Sequence, residues 1–181
     1  MNERILLGIT ASAAAFKGVA LASLLRKEGY EVDGILSMNA LRFVSDTQLA
    51  CVTGRPVFSS LFTDQPGDPV PHISLTDGCS LLIVAPATAD YIAKTANGIA
   101  DDLLTSVFLA NEAPVVMAPS MNSRMWANPA TDGNVSKLRN RGITFAGPAS
   151  GHLACGSMGE GRMMDPVEIL SICLRILSGK Y

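Results

Sequence analysis

Charge is what this chain has least of. Only 17% of its 181 residues are Asp, Glu, Lys or Arg, and the formal net charge is −2. There is no basic run, so no nucleic-acid footprint is expected. No apolar stretch approaches the ~20 residues that span a membrane. The first residues enter a strand directly, without the charged region and cleavage site of a secretory leader. The four cysteines, Cys51, Cys79, Cys155 and Cys173, form no CxxC or Cys/His pattern. That spacing excludes a zinc ribbon and predicts free thiols, no bound metal and a cytoplasmic location. A GxGxxG and a Gly-Lys-Ser/Thr are both missing, so neither NAD nor a nucleoside triphosphate is indicated. Repeats, linkers and low-complexity stretches are absent too, which predicts a single domain over residues 1–181.

What is there is apolar. Hydrophobic residues make up 48% of the chain. So little charge on so apolar a chain predicts surface buried between identical subunits.

Strand-like and helix-like segments alternate. Residues 4–10 read as a strand, 13–27 as a helix closed by Gly29, and 31–37 as a second strand. Residues 38–44 turn helical, and 45–61 carry an interrupted helical pattern. A strand follows over 81–85 and ends at Pro86-Ala87-Thr88-Ala89-Asp90. Thr88 or Asp90 caps the helix that runs to Asn97-Gly98, and Asp101 or Asp102 caps the next. A buried strand over 113–118, a helix over 130–141 closed by Gly142, a last strand over 143–146 and a final helix over 166–177 complete the series. This order predicts an α/β fold with a doubly wound parallel sheet in three layers.

Ligand-binding candidates fall at strand ends. Thr10-Ala11-Ser12-Ala13 joins the first strand to a helix N-terminus, where small residues and unpaired N–H groups suit a phosphate. Residues 86–90 form a similar loop. Pro119 cannot continue a ladder, so the chain is expected to leave the sheet there. Asn122 then caps a short helix, or offers its amide to a ligand carboxylate or amide. Met121, Met125 and Trp126 read equally well as core. His72, between a loop and a strand, is the titratable candidate for acid–base work. Residues 147–162 are glycine-rich and show neither helix nor strand period, as in a lid. Cys155 lies in their middle and has the best claim to chemistry. Cys51 and Cys79 read as packing, and Cys173 as core.

Several separated motifs occur together: Pro86-Ala87-Thr88-Ala89-Asp90, residues 97–105, residues 119–126, Ala154-Cys155-Gly156 with Gly161-Arg162-Met163, and Gly67-Asp68-Pro69-Val70-Pro71-His72-Ile73. On these the chain resembles the flavin-containing cysteine decarboxylases from Arg4 to about Leu177. Ser74 stands where close relatives often carry Glu. The resemblance implies a flavodoxin-like sheet that binds FMN between subunits of a homotrimer or homododecamer. It implies FMN contacts at Ala11, Ser12, Ala13, Asn39, Ala40, Ala87, Thr88, Ala89, Asp90 and Ser120. His72 corresponds to the family's base, Asn122 to its substrate-carboxylate amide and Cys155 to its flap proton donor. Met121 and Ala154 correspond to further substrate contacts. The implied reaction oxidises a cysteine thiol, loses CO₂ and reduces the resulting enethiol. The implied substrate is a small molecule, made by a synthetase that would be a separate chain or a part not present in this sequence. Rival expectations within the resemblance are a peptidyl-cysteine oxidative decarboxylase, a flavin prenyltransferase-like enzyme and a non-catalytic regulatory flavoprotein.

Overall fold

The computed structural model describes residues 3–62, 70–152 and 158–179, with His152 described through its backbone alone. The chain builds β1 (Arg4–Ile9), α1 (Ala15–Lys27), β2 (Glu31–Leu36), α2 (Asp46–Thr53), β3 (Val57–Phe58), α3 (Pro71–Thr76), β4 (Cys79–Ala87) and α4 (Ala89–Ala96). It continues with α5 (Leu103–Ala110), β5 (Val115–Pro119), α6 (Ser123–Trp126), α7 (Pro129–Asn140), β6 (Thr144–Phe145), β7 (Ala149–His152), β8 (Met158–Arg162) and α8 (Pro166–Leu177).

Six strands form one parallel sheet in the order β3-β2-β1-β4-β5-β6. Leaving out the two-residue edge strand β3, the remaining order is that of a flavodoxin-like doubly wound sheet. Alternation along each strand sends side chains to two separate cores. Ile5, Leu7, Ile9, Leu81, Ile83, Ala85, Val116 and Ala118 face α1, α2 and α8. Leu6, Leu82, Val84, Val115 and Met117 face α3, α4, α5 and α7. Gly18 lets α1 approach the sheet: a Cβ there would lie 2.3 Å from the Ala85 carbonyl oxygen.

Helix ends follow their side chains. Thr88 accepts from Tyr91 N–H and so caps α4. Asp102, rather than Asp101, caps α5 in a reciprocal box with Thr105. Asp165 and Glu168 make the same box on α8. Gly54 ends α2 at φ 69°, a left-handed conformation that favours glycine.

Four expectations need correction. β5 runs through Pro119, which pairs with Ala87 beyond a register shift, where the ladder needs no amide from proline. The next amide, Ser120 N–H, bonds the Ala87 carbonyl at 3.0 Å. Residues 147–162 are not irregular throughout, and 143–146 is not the last strand. β7 and β8 form an antiparallel ribbon. Their glycines blur the apolar alternation that marks a strand, because a ribbon with little core of its own needs none. Cys51 is exposed, not packed: Leu49 and Thr53 hold the inner face of α2, and Cys51 lies on the other side. His72 lies in the first turn of α3, behind Pro71 at the helix start, instead of beside a strand.

Candidate functional site

The order of strand addition reverses between the parallel neighbours β1 and β4, and the crevice at their carboxyl ends is where open α/β sheets bind ligands. Hydrogen bonds lock that edge. Thr10 donates its N–H (3.3 Å) and its hydroxyl (2.8 Å) to the Pro86 carbonyl, and the same hydroxyl oxygen accepts from Thr88 N–H at 3.0 Å. The Ser12 and Ser120 hydroxyls share a bond of 2.9 Å, tying the β1 loop to the β5 loop.

These loops enclose a cavity of about 1130 Å³. Ala11, Ser12, Ala13, Asn39, Thr88, Ala89, Asp90, Ser120, Met121 and Asn122 all line it. Ala40 and Ala87 do not: both are fully buried, Ala40 in a turn over Ala40–Arg42 and Ala87 at the end of β4. Their part in shaping the cavity is through the backbone. Among the described residues, the amides of Ala11, Ser12 and Ala13 have no acceptor within the chain, whereas Ala14 N–H is taken by the Ser12 hydroxyl at 3.2 Å. These three amides, in the loop that leads into a 13-residue helix, make a cradle for an anion.

Asn122 is the helix cap that the sequence allowed. Its side-chain oxygen caps α6 by accepting from Arg124 N–H at 2.9 Å, and the residue faces the cavity. Met125 is half exposed at the cavity wall, while Met121 and Trp126 pack partly against the core. The ribbon closes over this stretch. Met121 N–H donates to the Gly161 carbonyl at 2.9 Å, and a Cβ on Gly161, at φ 136°, would lie 2.3 Å from the Met121 oxygen.

His72 does not line the cavity of its own chain. Its Nδ1 is buried with no hydrogen-bond partner among the described residues. Ala154 and Cys155 lie outside the described residues, as does much of the segment that precedes His72. No cluster of His, Cys, Asp or Glu that could hold a metal occurs among the described residues. Cys173 is a core thiol: burial pushes its pKa up to about 12, which keeps it protonated and unreactive.

Three cations line the cavity that the sequence reading did not single out as site residues, although Arg162 falls in one of the motifs that carry the resemblance. Lys94 is held by Asp101 (3.1 Å) and Asp90 (3.5 Å), and the bond to Asp101 chiefly raises its pKa. Lys17 and Arg162 also line the cavity. Lys17 had a legible signal, since a lone cation in the first turn of a helix opposes the helix dipole.

A doubly wound sheet with an amide cradle at its switch point and no dinucleotide fingerprint defines a binding protein for a mononucleotide-sized, phosphate-bearing ligand. The chain belongs to the Flavoprotein family, whose profile matches residues 1–178. It is 39% identical over 179 residues to the coenzyme A biosynthesis bifunctional protein CoaBC of Vibrio vulnificus, covering 99% of this chain and 45% of that one. It is 41% identical over 171 residues to the Bacillus subtilis protein of the same name, covering 94% and 42%. The chain thus spans less than half the length of these relatives. Among solved structures it is similar to a cysteine-to-serine mutant of PPC decarboxylase complexed with pantothenoylaminoethenethiol. The TM-score is 0.88 at 31% identity, over 98% of this chain and 100% of that one. The FMN-dependent cysteine decarboxylase SpaF gives 0.82 at 29% identity, over 99% and 98%.

Proposed function

We propose that this chain is an FMN-dependent decarboxylase that converts 4'-phosphopantothenoylcysteine to 4'-phosphopantetheine in coenzyme A biosynthesis. One observation carries the reading: the phosphate cradle and the Asn122 amide open into the same cavity. The PPC decarboxylase likeness, which extends over all of that chain, supports it.

The residues present fit FMN. The three unpaired amides at the α1 N-terminus suit its phosphate. The small side chains of Ala11, Ala13 and Ala89 leave room for a ring, and the cavity is large enough for the cofactor with a substrate. When bound, FMN supplies two-electron redox chemistry at the substrate's carbon–sulfur unit.

The chain's own groups bind and move protons. Asn122 holds the carboxylate that leaves as CO₂. His72 takes the proton from the substrate thiol. Cys155 returns a proton to the carbon that lost the carboxylate. CO₂ leaves, a proton takes its place, and the net reaction requires no outside oxidant. Ser120, Thr88 and Asp90 frame the cofactor side of the cavity, and Met121 and Ala154 the substrate side.

The site is completed by a second copy of the chain. His72 does not line the cavity of its own chain, so a neighbouring subunit presents it in a homotrimer, or a dodecamer of trimers. Exposed apolar side chains near both places support this: Val70 and Ile73 lie at the start of the His72 helix, and Phe16, Met38 and Met125 rim the cavity. This flavoprotein domain works in the cytoplasm, where Cys51, Cys79 and Cys173 stay free. Its substrate comes from a phosphopantothenoylcysteine synthetase, which accords with relatives that are bifunctional proteins of coenzyme A biosynthesis.

Purified protein supplied with FMN should stay yellow after gel filtration and release CO₂ from 4'-phosphopantothenoylcysteine. His72→Asn should retain the flavin and lose CO₂ release. A colourless protein, or one that decarboxylates only peptides ending in cysteine, overturns the reading.

A further inference from the structure

We infer that Lys17 and Arg162 form a second anion subsite in the cavity, which takes the substrate's phosphate and makes the site selective for a phosphorylated substrate. The inference rests on the reading above and adds to it the residues that recognise one end of the substrate.

Lys17 is the third residue of α1, where the helix dipole disfavours a cation. It is half buried, and its ammonium donates to the Met163 carbonyl at 3.3 Å. That bond sets it beside Arg162 on β8. Burial lowers the Lys17 pKa first, and repulsion from Arg162 lowers it further. The Arg162 guanidinium rests over Gly151, where a Cβ would come within 3.2 Å of its Nη1. Two cations are therefore held together at the end of a helix that repels both.

Among the described residues neither has an ion-pair partner. The nearby carboxylates, Asp165 and Glu168, raise the Lys17 pKa but are committed elsewhere. Asp165 accepts from Val167 N–H at 3.2 Å, and Glu168 from Asp165 N–H at 3.3 Å, in the cap of α8. Convergent unpaired cations at a cavity wall fit a dianion.

This subsite differs from the amide cradle. Ala11 and Asn39 also line an adjoining concavity with Arg42 and Phe43, which extends the cradle in one direction. Lys17 and Arg162 line only the main cavity, against the ribbon. One phosphate thus sits at the cradle and the other at the ribbon.

The test compares 4'-phosphopantothenoylcysteine with unphosphorylated pantothenoylcysteine on the FMN-loaded enzyme. In Lys17→Gln, the ratio of kcat/KM for the phosphorylated over the unphosphorylated substrate should fall about tenfold, chiefly through KM. Arg162→Gln should act in the same direction, and Lys17→Arg should restore the ratio. Flavin content after gel filtration should match wild type in all three. An unchanged ratio overturns the subsite. So does a parallel loss of flavin, which would assign the cations to the cofactor's phosphate. A wild type inert on both substrates would instead strike the proposed function itself.

Discussion

The two ends of the sheet handle charge in opposite ways. At the amino ends of β1 and β2, Asp33 is almost fully buried and completely engaged. It pairs with Arg4 at 3.4 Å and with Arg55, which also bonds Glu31 at 3.1 Å. The bond to Asp33 is the main reason the Arg55 pKa is raised. Arg4 also donates to the Leu75 carbonyl at 3.0 Å and to that of Asp77, holding the end of α3. At the carboxyl ends of the same strands, among the described residues, three amides without an acceptor and two cations without a carboxylate partner line a cavity. Saturated polar groups bind the elements to one another, whereas unsaturated ones wait for a ligand.

This contrast can be broken from either side. The largest effect should come from Asp33→Ala, which leaves two arginines facing a buried gap. Removing one partner of a buried ion pair is strongly destabilising, and here a loss of about 3 kcal/mol in urea unfolding is expected. The protein that remains folded should keep its flavin-to-protein ratio. A drop in that ratio would mean the two ends are coupled.

Gly161→Ala should do the reverse. The new Cβ would press on the Met121 oxygen and displace the ribbon from the cavity. Turnover should fall roughly tenfold, since small misplacements at a site are amplified in rate. Wild-type turnover with a normal unfolding midpoint would remove the ribbon from the site.

The smallest expected effect sharpens the comparison. Asp102 lines the cavity, yet its carboxylate is committed to the α5 cap, accepting from Thr105 N–H and hydroxyl at 2.7 Å each. Asp102→Ala should lower stability by about 1 kcal/mol, as a lost cap does, without altering the preference for the phosphorylated substrate. A changed preference would make Asp102 part of the recognition surface instead.

Much of the site was legible in the sequence, because its parts are local. Ala11, Ser12 and Ala13 announce a strand–loop–helix junction by composition alone. Thr88 and Asn122 announce caps, since a short polar side chain satisfies amides two or three residues away. The ribbon was not legible, because glycine-rich strands carry no apolar alternation to read. Nor was the outward turn of Cys51, which depends on which face of α2 meets the sheet.

By itself, then, the sequence determined the order of most strands and helices, the loops of small residues at their junctions and the caps that start several of the helices. These rest on hydrogen bonds and periodicities confined to a few neighbouring residues. Only the tertiary structure decided that β1 lies between β2 and β4, so that the loops after β1, β4 and β5 meet. It alone set Lys17 against Arg162, 145 positions apart in sequence, and kept His72 away from the cavity in its own chain. Those placements follow from burying both faces of the sheet at once, a balance summed over the whole chain that no short stretch encodes.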